Sequence, residues 1–310
     1  MADTHTMDRT APCSEDGFSL LEMMIAVAVL MIVSNTVFSG VLRLTNVSRS
    51  VSSRSEMHSG VRNANELLQQ EVGQAGLISL PAPVRLTAGV AAGASTVAVS
   101  SAAGMFVGEY LVVGTGNATE TVQLTAVNAA TNQIAATFLG VHAANSPVAA
   151  VGGFSAGVVP PSVTNGSTGS LLKIFGDVND DGNMVYVEYT CDTAGGNLYR
   201  NAMPISTLVK PAVTVAHVLL NNILANPDGT RCFTYFEKTV NGTPFVVNVA
   251  ITLTVRTQTR DPITGLFQTE TKALLNVAPR NVFYVWQLAS QANTRRVQPT
   301  PPSVLALLPY

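Results

Sequence analysis

Residues 18–42 are almost wholly apolar, and the one acid among them is Glu22. Twenty-five residues of helix rise about 37 Å, enough to cross a hydrocarbon core of roughly 30 Å. The pattern then changes. Val41, Leu44, Val47 and Val51, and after them Val61, Leu67, Leu68 and Val72, recur at three- and four-residue steps among Ser, Arg, Asn and Glu. That period predicts an amphipathic continuation of the same helix. Gly40 and Gly60 predict local softening, and the helix is expected to stop near residues 73–76, ahead of Pro81 and Pro83.

From residue 84 the period drops to two. Strands are expected at 95–100, 109–113, 120–127 and 133–138, with turns at 114–117 and 128–132. The run 108–114, Gly-Glu-Tyr-Leu-Val-Val-Gly, resembles small β-modules of phage and surface proteins. We read 84–153 as a β-rich insertion, the alternative being strands of the main sheet. Residues 160–170 are rich in Gly, Ser, Thr and Pro and read as a loop. Further strands are expected at 171–175, 184–191, 198–201, 214–219 and 246–257, the last returning through a turn at 261–265 into 266–277. The Pro-rich tail 294–310 is expected to lack fixed structure.

Charged residues make up only 12% of the chain, well below a soluble-domain average of about 25%. The net charge of −2 offers no basic footprint, so no nucleic-acid partner is expected. Four acids (Asp3, Asp8, Glu15, Asp16) and one base (Arg9) fall in the first 17 residues, leaving 16 basic and 15 acidic residues beyond them. Cys13 lies in this same stretch, so its removal would leave Cys191 and Cys232 as an even pair. In an exported chain that pair reads as one disulfide, with two buried thiols as the alternative.

The apolar run does not end in a small-residue cleavage site, as a secretory signal would, and an ordinary anchor would leave Glu22 unexplained. Gly17-Phe18-Ser19-Leu20-Leu21-Glu22, with a polar leader before it and a long apolar helix after it, resembles the prepilin processing signal of type IV pilins and type II secretion pseudopilins. The resemblance implies cleavage after Gly17 by a membrane-embedded prepilin peptidase and N-methylation of Phe18. It also implies that Glu22 pairs with the N-terminal amine of a neighbouring subunit during assembly. Residues 1–17 are then a cleaved leader, with Met7 as an alternative start. Leaders of this family usually carry Lys or Arg before the Gly, whereas Glu15 and Asp16 stand here. The implied fold class is α+β: an N-terminal helix over 18–80, spanning the membrane at 18–42, packed on an antiparallel β-sheet head at 160–293.

The large head and the 246–277 hairpin resemble the bigger minor pilins (W type) and pseudopilins (J type). A minor pilin priming assembly near the tip is the leading expectation, with a type II secretion pseudopilin or a tip adhesin as alternatives. Expected partners are other pilins, the peptidase and an inner-membrane assembly platform. The head is expected in the periplasm before assembly and outside the cell in a pilus. One candidate cofactor is Ca²⁺: Asp177, Asn179, Asp181, Asn183 and Glu188 fit D-x-[DN]-x-[DN]-G-x5-E. Strand-like flanks argue against a helical calcium hand, and a metal-free Asp/Asn/Gly turn is the alternative. His5, His58, His142 and His217 lie in separate segments and no catalytic motif is present, so no enzyme is expected. Glu109, Glu120, Asp228 and Glu237 read as solvated charges, and Trp286 as core.

Overall fold

The structure is a computed structural model that describes residues 17–309. The expected leader, with Cys13 and Met7, therefore lies outside the described residues, apart from Gly17. One helix dominates: α1 (Leu20–Gln74), 55 residues and about 80 Å long. Ser19 caps it, its Oγ accepting from the Leu21 N–H at 3.2 Å, which satisfies one of the orphan donors of the first turn. Gly40 and Gly60 interrupt nothing. A Cβ on Gly60 would stand 3.2 Å from Leu220, so the glycine lets helix and sheet approach closely.

The two halves of α1 have different surroundings. Met57, Val61, Ala64, Leu68 and Val72 are buried against the head, while Val41, Leu44, Val47 and Val51 are exposed. The period legible in the sequence therefore continues through both halves, but only the second has a sheet to cover it. The helix ends at Ala75, and Gly76 turns the chain with φ +84. There Gly157 packs back to back with it: a Cβ on Gly157 would stand 2.2 Å from the Gly76 Cα.

The chain next builds β1 (Val84–Arg85), β2 (Gly93–Ala98), β3 (Tyr110–Val113), β4 (Glu120–Asn128), β5 (Gln133–Phe138) and β6 (Pro147–Ala150). These form one antiparallel sheet in the order β1-β6-β3-β4-β5-β2. Its two edges meet: Leu86 bridges Val99, the Thr87 N–H donates to Ala98 O at 2.9 Å, and the Ser100 N–H donates to Arg85 O at 2.8 Å. The sheet thus closes into a small barrel around Leu86, Leu111, Leu124, Ile134 and Phe138. Closure removes the unpaired strand edges that would otherwise invite foreign strands.

The head proper follows a short strand, β7 (Gly153–Phe154). One sheet comprises β8 (Leu171–Gly176), β9 (Val185–Asp192), β10 (Asn197–Pro204) and β11 (Val218–Asn221). The other comprises β12 (Ile223–Leu224), β13 (Phe233–Val240), β14 (Thr243–Arg256) and β15 (Thr269–Val277), with β14 central. Both sheets contribute to the core under α1. Cys191 on β9 and Cys232, just ahead of β13, form a disulfide with Cα atoms 6.5 Å apart. It joins the two sheets across a separation of 41 residues, a loop for which chain entropy gives about 4 kcal/mol.

The expected strand at 214–219 begins instead as a short 3-10 turn before β11. The run holding Trp286 is a helix, α2 (Arg280–Ser290): Val282 and Val285 pack on β14, and Trp286, half-buried, carries Lys238 Nζ 4.4 Å from its ring centroid. The tail expected to be flexible is folded. β16 (Val297–Gln298) pairs in parallel with β7, and α3 (Pro302–Leu307) buries Val304 and Leu307. Lys173, fully buried on β8, donates to Leu308 O at 2.6 Å, and Lys210 donates to Pro309 O at 2.8 Å. Proline spacing made this segment look unstructured; its apolar residues and these two cations hold it down.

Candidate functional site

The chemistry promised by the sequence lies at the N-terminal end of α1. Residues 17–19 are extended and exposed ahead of the helix, and the Phe18 side chain is 82% exposed. Among the described residues the Gly17–Phe18 peptide bond lies outside any helix, strand or turn. Among the described residues nothing lies within 4 Å of the position a Gly17 Cβ would take.

Glu22 falls in the first turn of α1 and is exposed. An acid is favoured there, because the unpaired N–H groups of the helix start carry partial positive charge. Sixteen large apolar side chains from Phe18 to Leu42 surround it, all exposed. At about 1.5 kcal/mol each, leaving them in water would cost roughly 25 kcal/mol. None of the most apolar stretch of the helix is buried by the other described residues. Lipid or other apolar helices must cover it, and in either surrounding the Glu22 carboxylate needs a cationic partner.

Asp177, Asn179, Asp181 and Asn183 of the candidate calcium set share one turn, while Glu188 lies on the following strand. Asp177 is buried, and its carboxylate is used by the turn itself: it accepts from the Asp181 N–H at 3.0 Å, the Gly182 N–H at 2.8 Å and Ser79 Oγ at 2.6 Å. Asp181 accepts from the Asn183 N–H at 2.9 Å. Glu188, which would close the cage, lies within β9 and instead accepts from Tyr186 OH at 2.6 Å and Lys210 Nζ at 2.7 Å. Asn179 belongs to the same turn, where Asp180 has φ +56 and Gly182 φ +85. Among the described residues no group of three or more His, Cys, Asp or Glu side chains is placed to hold a metal ion. The spacing matches a calcium loop because Asp, Asn and Gly are also what a tight β-turn selects. Added calcium or chelator is therefore expected to leave the melting temperature unchanged; a rise of several degrees with calcium would reinstate the metal.

Glu109 and Glu120, expected as solvated charges, are engaged in the fold, and so is Glu71. Glu109 is fully buried at the start of β3, and burial pushes its carboxyl up to about 8 against a single opposing hydrogen bond from the Phe106 N–H. Glu120 meets the buried His142 imidazole at 2.5 Å. Glu71, on the buried face of α1, holds Arg200 and Tyr189. That cluster had a legible signal: Glu71 lies three residues after Leu68, on the helix stripe that faces the sheet.

Residues 14–34 match the family model of the prokaryotic N-terminal methylation motif. No curated protein and no solved structure matches the chain. The match covers the segment whose geometry stands out, an exposed Gly-Phe bond ahead of a bare apolar helix with one acid in its first turn. That N-terminal motif supports a type IV pilin-like protein, inserted by α1 in the inner membrane before assembly with other pilins.

Proposed function

We propose that this protein is a minor pilin, processed between Gly17 and Phe18 and drawn from the membrane into a filament by α1. The observation that carries the reading is the bare N-terminal half of α1 with its single acid. A helix that needs lipid at one stage and apolar helices at the next can exchange one cover for the other without refolding the head. Glu22 pairs with the N-methylated amine of a neighbour, which offsets a charge that costs about 2.5–3.5 kcal/mol deep in lipid. The head stays outside the filament core, and the closed barrel, which leaves α1 at its far end, is what such a subunit displays.

The test is the N-terminus of the protein recovered from its native membranes, read by mass spectrometry. A chain beginning at N-methylated Phe18 is expected, and Glu22→Val should leave that terminus intact while abolishing recovery in sheared filaments. A terminus upstream of Gly17 would overturn the processing reading and leave a static anchor. A second reading, a tip adhesin, is favoured by the barrel, whose edges are sealed against strand addition while Leu139 and Val141 stand 73% exposed on one loop. Deleting residues 84–150 would then abolish attachment while filaments still form.

A further inference from the structure

The turn between β14 and β15 hangs toward the N-terminal half of α1. Val255 and Arg256 line one cleft with Ser53 and Met57, and further on Ser50 Oγ donates to Asp261 at 2.9 Å, where Arg49 and Pro262 line a second, smaller cleft. Thr257, Asp261 and Gln268 tie the turn together: the Thr257 N–H donates to Gln268 O at 2.8 Å, and Asp261 Oδ1 accepts from the Ile263 N–H at 2.8 Å. The tip is apolar, with Ile263 63% and Leu266 65% exposed.

The flanks of the tip are cationic. The guanidinium carbons of Arg256 and Arg260 lie 4.7 and 5.0 Å from the Phe267 ring centroid, and Arg260 Nη1 donates to Gly265 O at 3.1 Å. Stacking on the ring holds both guanidinium planes while leaving edge donors for an oxyanion. Arg43, Arg49 and Arg54 add three more exposed cations on the adjoining stretch of α1. The carboxylate of Asp261, the one acid within residues 256–267, is occupied by Ser50, Gln268 and the backbone of the turn.

We propose that the 256–267 loop is a foot that rests on anionic phospholipid headgroups of the leaflet from which the head emerges. Apolar side chains at the tip enter the interface while arginines around them meet phosphate. The placement fits. Ser50 lies eight residues, about 12 Å, beyond the end of the apolar run, and the headgroup layer adds roughly 5–8 Å to each side of the hydrocarbon. A tilt of about 20°, usual for spanning helices, closes the remaining gap on the loop side. The foot rests on the reading of α1 as a spanning helix but not on which side of the membrane the head occupies. It would hold the head in one orientation before the subunit leaves the bilayer.

The test uses the full chain in vesicles of phosphatidylcholine, with or without about one-third phosphatidylglycerol, and brominated phosphatidylcholine as quencher. Ile263→Trp adds a reporter at an exposed position, read against the parent chain, whose Trp286 is the only tryptophan. Quenching of the added emission is expected in anionic vesicles, several-fold weaker in phosphatidylcholine alone and in the R256Q/R260Q background. Each arginine near an anionic surface shifts such partition about fivefold. Emission that ignores the quencher in vesicles that float with the protein would overturn the foot, as would equal quenching with and without anionic lipid. A chain that does not float with the vesicles would overturn the spanning helix and the foot together.

Discussion

Replacing Glu109 with glutamine is expected to stabilise the protein by about 5 kcal/mol at pH 9 while changing it little near pH 4. The carboxyl is fully buried; among the described residues its Oε1 has no hydrogen-bond partner and its Oε2 accepts only the Phe106 N–H at 3.1 Å. Burial therefore penalises the charged form and raises the group from 4.5 to about 8. Between those two pH values the folded chain keeps a proton that the unfolded chain has lost, so stability falls as pH rises, at about 1.4 kcal/mol per unit. Above pH 8 the loss is complete. The glutamine variant has no proton to lose and should melt roughly 10 °C above the parent at pH 9. Parallel stability curves for the two proteins from pH 4 to 9 would mean that Glu109 is solvated after all. The position matters because the next residue joins the barrel to the head: Tyr110 exchanges hydrogen bonds of 2.9 and 2.7 Å with the Gln298 side chain on β16. Loosening this corner in alkali should free the barrel before the rest unfolds.

The parts that could be read from sequence were those governed by period and by local chemistry. The long helix, its stop before the prolines and the β14–β15 hairpin needed only neighbours along the chain. So did the Gly17–Phe18 bond and Glu22, because an acid in an apolar run stands out wherever the run folds. Non-local facts were hidden. Glu109 reads as a solvated charge at the start of an expected strand, yet it is buried where its neighbour Tyr110 meets Gln298, nearly two hundred residues on. The tail looked unstructured because proline spacing says nothing about Lys173, whose buried ammonium needs the Leu308 carbonyl. The engagement of Glu188 was hidden for a related reason: Lys210, more than twenty residues downstream, donates to the carboxylate that the calcium pattern assigns to the cage.

The second large effect is expected at the joint between anchor and head. Glu71 is 2% exposed on α1, and its carboxylate accepts from Arg200 Nε at 3.1 and 3.2 Å, from Arg200 Nη2 and from Tyr189 OH. Burial and the Glu71 charge push the Tyr189 hydroxyl far above the ordinary tyrosine range, so it remains a donor at every accessible pH. Glu71→Ala leaves the Arg200 guanidinium partly buried without its counter-ion, and Arg200→Met leaves a carboxylate in the core. Each should cost about 3–5 kcal/mol, since a buried charge stripped of its partner bears the full desolvation penalty. Tyr189→Phe removes one hydrogen bond to a charge and should cost only about 1.5–3 kcal/mol. The double replacement E71L/R200M removes both charges and should cost much less than the two single changes added together. Denaturant titration of the four variants measures this directly; additive single costs would mean that the pair is solvated and does not clamp the helix. Under the function proposed above, a helix drawn out of lipid into a filament would pull its head by this joint and by the apolar stripe around it. The charge pair lies only three residues before the end of α1, where the helix passes its load to the rest of the fold. A variant weakened there should still be cleaved after Gly17 and anchored in the membrane, yet should yield a head that proteases remove from its anchor.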